Sequence, residues 1–261
     1  MTQRECLRMI EECATLVEPD ASEFQQWTRD FAHSSRYRLA EDLKLIWERA
    51  KPRARVLGFG ASPPFLGLAR QHMGYDYHGL DISPERYARV LARQRIDIRK
   101  VNFETEPVPF EDQTFDITIF NAVCEHLRID LIATLTEVRR VMKVGGTLFL
   151  LTPNFRSLRG FWMLARHHSG TTVGGNLYDQ YNYMRLYGFM GHVREYAARE
   201  VSVFLPRIGL TTERIIFRYY GPPLNNPLPL ALCALLERTV CAVFPSLRPL
   251  FSLVCVRTPD R

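Results

Sequence analysis

Residues 54–64 read ARVLGFGASPP, and this stretch decides the fold. An apolar run that closes on Gly58 and Gly60 is the pattern of a short buried strand entering a tight turn. Pro63 and Pro64 suit the first turn of a helix, where the missing N–H costs nothing, and a helix candidate follows from Phe65 to Gln71. Next come the strand YDYHGLD (75–81), a helix opened by Ser83-Pro84 and the short strand IDIRKV (96–101). Strands alternating with helices predict a parallel sheet with right-handed crossovers.

Working outward, the polar loop NFETEPVPFEDQT (102–114) leads into a strand, FDITIFNAV (115–123). A helix is expected from about Leu131 to Met142, with Leu131, Leu135, Val138 and Val141 on its apolar face. A turn at Gly145-Gly146 and the strand TLFLLTPN (147–154) complete at least five strands of a doubly wound sheet. Residues 1–50 read as a helical extension with breaks near Pro19-Asp20 and Ser34-Ser35. Leu7, Ile10, Cys13, Ala14 and Val17 share one side of its first helix, and Leu39, Leu43 and Ile46 recur at helical spacing later. Residues 51–154 form the expected core, 155–209 an aromatic-rich insertion over the cleft, and 210–261 the strand-like runs TTERIIFRYY and FSLVCVR with an apolar segment between them. No linker composition divides the 261 residues, so one domain is expected.

Composition excludes several classes. With 46% hydrophobic and 24% charged residues the chain can bury a core. The net charge of +6 comes from scattered arginines, with only Lys44, Lys51, Lys100 and Lys143 as lysines, and lacks the clustered stripe of a nucleic-acid binder. Cys6, Cys13, Cys124, Cys233, Cys241 and Cys255 form no CxxC pair, which argues against a zinc knuckle or disulfide framework and for small buried side chains. The charged N-terminus is no signal peptide, and a cytoplasmic setting is expected. The apolar run Leu228–Phe244 is shorter than the roughly 20 residues needed to span a bilayer and carries Glu237-Arg238 at its middle. Its expected place is against the sheet or in a homodimer, with no binding to anionic liposomes; peripheral membrane contact is the competing reading.

In a doubly wound sheet the ligand lies beyond the carboxyl ends of the strands. Gly58, Gly60, Ala61 and Ser62 then form the first loop to touch it, although a glycine turn alone is an ordinary structural device. Asp81 closes the second strand twenty-one residues after Gly60, where a carboxylate can accept hydrogen bonds from both hydroxyls of an adenosine ribose; the competing role is a charge at the start of the next helix. The dinucleotide fingerprint wants a third glycine where Pro63 stands, which weakens a nicotinamide cofactor.

VNFETEPVPFEDQTFDITIFNAVCEHL (101–127), followed by LTEVRRVMKVGGTLFLLTPN (135–154) and GHVREYAARE (191–200), resembles the class I S-adenosylmethionine-dependent methyltransferases over roughly residues 53–218, in their small-molecule and glycan-type branch. The resemblance implies a Rossmann-like seven-stranded α/β sheet with an antiparallel last strand. It implies S-adenosylmethionine as cofactor, with Gly58, Gly60, Ala61 and Ser62 lining the methionine part, Asp81 and Ile82 at the ribose, Asn102 and Phe103 at the adenine, and Asn121 facing the sulfonium end. Gly58 and Ser62 depart from the family's usual acidic residue and glycine. The implied function is methyl transfer to a small-molecule or glycan-like acceptor; a non-catalytic scaffold and a nicotinamide oxidoreductase are the alternatives. His126 is the candidate base, because imidazole titrates near neutrality, set against a purely structural histidine at a helix start. Glu125-His126, with His192, also resembles part of a metal site in ribose 2'-O-methyltransferases of small RNAs, but Ala122 stands where those carry a second Glu, so no metal is assigned.

Overall fold

In the computed structural model, which describes residues 1–16, 23–60, 74–88, 91–92, 96–167, 178, 181–182, 184–185, 191–220 and 228–260, the glycine-terminated run forms β1 (Arg55–Phe59). It is followed by β2 (Asp76–Asp81), β3 (Asp97–Lys100), β4 (Phe115–Asn121), β5 (Met142–Pro153), β6 (Leu210–Arg218) and β7 (Leu250–Arg257). They make one sheet in the order β3-β2-β1-β4-β5-β7-β6. Strands β1 to β5 pair in parallel, whereas β7 runs antiparallel to both β5 and β6. The order reverses between β1 and β4, and their carboxyl ends open the crevice where such sheets bind ligands.

Alternation along the strands divides the core between two faces. Val56, Tyr77, Ile117, Ile119, Phe149 and Val254 turn to one face, under α1 (Gln3–Leu16) and α2 (Glu23–Arg49). Leu57, Phe59, Phe120, Leu148, Leu150 and Leu253 turn to the other, under α3 (Leu131–Val141) and α5 (Ala198–Phe204). The N-terminus of α3 is fixed by Asp130, whose carboxylate accepts from the N–H groups of Ile132 and Ala133 at 2.7 and 3.0 Å. Such a cap satisfies orphan donors of the first turn. α3 buries the four expected residues, Leu131, Leu135, Val138 and Val141.

Several boundaries differ from expectation. α2 runs unbroken through Ser34 and Ser35, since serine costs a helix interior only about half a kcal/mol each. Among the described side chains of α1, Cys6, Met9 and the expected Ile10 are buried and the expected Leu7 packs against them, while Cys13 and Ala14 lie outside the described side chains. β5 starts at Met142 instead of Thr147: Phe115 pairs with Met142 and Ile117 with Thr147, and the residues between bulge out through Gly145 at φ +78. The end of the supposed insertion is structural, because Val201 and Leu205 are fully buried in the core. Cys6, Cys124, Cys241 and Cys255 are free, buried thiols, as expected. Val17, the Pro19-Asp20 break, the 65–71 helix, Ala61, Ser62, Pro63 and Pro64 lie outside the described residues.

The largest correction concerns the apolar segment, which forms α6 (Leu228–Val243). Leu235, Leu236 and Val243 are 63, 66 and 70% exposed. The half-buried side carries Glu237 and Arg238, with the Arg238 guanidinium 4.4 Å over the Tyr219 ring. That cation–π contact turns the polar side inward and the apolar stripe outward. No described helix is long and apolar enough to cross a membrane.

Candidate active site at the carboxyl ends of the strands

β1 ends at Gly60, whose φ of +63 is a left-handed conformation that favours glycine, and a Cβ there would stand 3.0 Å from Val123 Cγ2. Its N–H donates to Leu80 O at 2.9 Å, locking the turn to β2. Gly58 is glycine for a different reason. A Cβ on it would lie 2.2 Å from the Tyr77 hydroxyl oxygen, so the space an acidic side chain would take is filled by a buried phenol from β2. Burial, and secondarily Asp81, hold that phenol far above the usual tyrosine range.

Asp81 is buried at the end of β2. Its Oδ1 accepts from the Ser83 N–H at 2.7 Å, the local role at the start of the next helix that the sequence offered as the competing reading. Ile82 follows, half-buried in a bend. Beyond β3, Asn102 Oδ1 accepts from Glu104 N–H at 3.3 Å, and Phe103 packs edge-on to Phe59 with centroids 5.4 Å apart. At the end of β4, Asn121 Oδ1 is buried and has no hydrogen-bond partner among the described residues. Ala122, held by its N–H to Leu151 O at 2.7 Å, adopts φ +56. A non-glycine residue there costs on the order of 1–2 kcal/mol. An orphaned acceptor beside a strained residue is a common mark of a ligand site. Asp81, the Gly60 turn and Asn121 thus fit a ribose and its attached polar chain.

The turn after β4 carries Glu125 and His126. Glu125 is buried and its Oε2 accepts from the Thr152 hydroxyl on β5 at 2.9 Å. Its main-chain oxygen accepts from Val193 N–H at 2.7 Å, which brings the GHVREY segment to the site. His192 is buried there, with Nδ1 2.7 Å from Oε1 of the fully buried Glu195. The rings of His126 and His192 meet edge-to-face at 5.1 Å. With Nδ1–H donating to Glu195 Oε1, the neutral His192 ring presents the lone pair of Nε2. Tyr220 lies in the field of Glu195 and Glu125, and burial pushes it up to about 12, so it stays a neutral donor. Burial, reinforced by Glu125, likewise keeps Cys124 a thiol.

One ligand atom each from Glu125, His126 and His192 lies within 4.8 Å of the others. The spacing reading assigned no metal because Ala122 replaces a carboxylate; the fold nonetheless gathers two imidazoles and a carboxylate, a donor set that suits zinc, manganese or iron better than the oxygen-seeking magnesium or calcium. Thr152, Glu195 and Tyr220 were not singled out from sequence, although the His-x-x-Glu spacing at 192–195 was a usable signal. Of the described aromatics between residues 155 and 181, none is fully buried. Phe161 and Trp162 on α4 (Leu158–His167) are 47 and 55% exposed, and Tyr178 and Tyr181 are exposed as well. Phe155 is half-buried, and Tyr183, Tyr187 and Phe189 lie outside the described residues.

Residues 56–150 match the family model described as a methyltransferase domain. The chain is 33% identical over 101 residues to an uncharacterized protein of Methanocaldococcus jannaschii, covering 39% of this chain and 40% of that protein; it therefore spans about two fifths of the curated relative it matches. Among solved structures, it is similar to a chain from the complex between the Haloferax volcanii Trm112 methyltransferase activator and the putative methyltransferase, with TM-score 0.60 and 17% identity over 92% of this chain and 100% of that one. It also resembles an S-adenosylmethionine-dependent methyltransferase from Mesorhizobium loti, with TM-score 0.55 and 15% identity over 84 and 97% of the two chains. Geranyl diphosphate C-methyltransferase from Streptomyces coelicolor, in complex with Mg2+, geranyl diphosphate and S-adenosyl-L-homocysteine, gives TM-score 0.53 and 16% identity over 94 and 87%. At these identities the structural likeness is one of fold. Residues 56–150 thus carry a methyltransferase domain, and that match together with the seven-stranded sheet and its antiparallel β7 agrees with the resemblance to class I S-adenosylmethionine-dependent methyltransferases read from the motifs.

Proposed function

We propose that the protein transfers a methyl group from S-adenosylmethionine to an oxygen or nitrogen of a small-molecule or glycan-like acceptor. The observation that carries this reading is the convergence of Gly60, Asp81 and the orphaned Asn121 Oδ1 at the carboxyl ends of adjacent strands. The bound cofactor supplies an electrophilic methyl group on a good leaving group, so alignment and exclusion of water account for much of the rate. Asp81 accepts hydrogen bonds from the ribose hydroxyls, and Asn121 Oδ1 accepts from the polar end of the ligand. His126, half-buried at the mouth, accepts the proton an attacking hydroxyl or amine must lose, while Glu195 fixes the ring of His192 behind it.

Thermal unfolding with S-adenosylmethionine, S-adenosylhomocysteine and nicotinamide dinucleotides separates this reading from its alternatives. A ligand at a hundredfold its dissociation constant stabilises by about 2.7 kcal/mol. Stabilisation by the two sulfur ligands alone is expected. A shift with the dinucleotides alone supports an oxidoreductase, and no shift with any ligand supports a scaffold.

A further inference from the structure

Two helices at the rim of the site turn apolar faces outward. α4 starts just after Asn154, whose Nδ2 donates to Ser246 O and Arg248 O at 2.8 Å each, and those residues directly follow α6. Both helices therefore leave the sheet at the same end as Glu125 and His192. α6 is inverted relative to a helix on an ordinary water-facing surface: Glu237 and Arg238 are half-buried, while Leu235, Leu236, Val243 and the following Phe244 are exposed. On its inner side lies a groove of about 550 Å³ whose charges are largely paired within the protein: Arg218 is held by Asp42 and Glu41, and Arg214 lies 4.0 Å from Glu48. On α4, exposed Phe161 and Trp162 stand near the exposed Arg156 and Arg159. Exposed aliphatic and aromatic side chains bordered by arginines have the composition of a surface that enters a lipid headgroup layer.

We propose that this rim docks on an anionic lipid bilayer, with α6 and α4 in the interfacial layer and the exposed Arg156 and Arg159 facing lipid phosphates. Apolar insertion and cationic attraction are separately weak but together give stable peripheral binding. Exposed Arg156 and Arg159 beside Phe161 and Trp162, on a chain of net charge +6, favour this occupant over a second copy, because a symmetric contact would bring like charges together. This takes up the membrane-contact reading in place of the expected burial within the protein or its own dimer. A lipid-borne acceptor follows for the reaction, which rests on the methyl-transfer reading; the docking does not.

Flotation of the purified full chain with phosphatidylcholine vesicles, with or without roughly a third phosphatidylglycerol, tests this at physiological and high salt. Binding to the anionic vesicles is expected, weakened by salt. It should fall about tenfold or more in Leu235→Glu with Leu236→Glu and in Phe161→Glu with Trp162→Glu, with S-adenosylhomocysteine affinity kept as the control for folding. Arg156→Gln with Arg159→Gln, which spares the apolar faces, should remove the preference for anionic vesicles. Absence of flotation by the parent protein would overturn the proposal. So would a parent dimer that ignores vesicles and becomes a monomer in the Leu235→Glu and Leu236→Glu variant, which would make the face a contact between copies.

Discussion

Replacing Gly58 by alanine should destabilise the fold through Tyr77, not through the ligand. The added Cβ would stand 2.2 Å from the phenol oxygen and 3.1 Å from the ring carbon that bears it, so the oxygen must retreat by about 1 Å to reach ordinary van der Waals contact. Tyr77 is 3% exposed and packed between strands and helices, so the retreat requires repacking. Overpacking of this kind costs about 1–3 kcal/mol, or a fall in melting temperature of about 2–10 °C in a protein of this size. Tyr77→Phe deletes the offending atom at a cost of about 1 kcal/mol or less. In the double variant the nearest atom is the ring carbon, which must yield by only a few tenths of an ångström. Urea unfolding of the parent, both single variants and the double variant should give a favourable coupling energy of about 1 kcal/mol or more. S-adenosylhomocysteine affinity of the folded double variant should stay within a few-fold of the parent. Gly58→Ala with unchanged stability and lost affinity would refute the reasoning and return Gly58 to the ligand surface.

His126→Gln should lower turnover by about a hundredfold, with cofactor affinity within a few-fold; intact turnover in a less stable protein would make His126 structural. Glu137 is held below its ordinary value of 4.5 first by its hydrogen bond from Arg140, against a burial penalty, with Val108 N–H as a further donor. A lowered carboxyl contributes stability above its unfolded pKa and loses it as pH falls through the folded one. The urea midpoint of the parent should therefore exceed that of Glu137→Gln near neutrality, and the gap should close as pH drops below about 4.5; a gap independent of pH would count against the pairing.

The strands were legible because each apolar run ends in a glycine, an acid or an amide at the crevice: Gly60 after β1, Asp81 closing β2 and Asn121 closing β4. Period and punctuation are local signals, and residues 54–154 carry both. What escaped is what depends on partners distant in sequence. Nothing local says that Tyr77 fills the space beside Gly58, or that Glu125 would meet His192 sixty-seven residues later through the Val193 N–H. The β5 bulge was missed because Gly145-Gly146 signals a turn whether or not pairing resumes upstream of it. α6 misled for a related reason: an apolar stripe shows that a face avoids water, but the Arg238 contact with Tyr219 determines which way it points.

The central claim is that S-adenosylmethionine sits at the carboxyl ends of β1, β2 and β4 with its ribose on Asp81. Calorimetric titration of S-adenosylhomocysteine into the parent and Asp81→Ala tests it most directly. Each lost charge-assisted hydrogen bond is worth about 1.5–3 kcal/mol, so the account predicts one site in the parent and an affinity at least about tenfold weaker in a variant that melts cooperatively. Equal affinities in two folded proteins, or no binding by the parent, would contradict it.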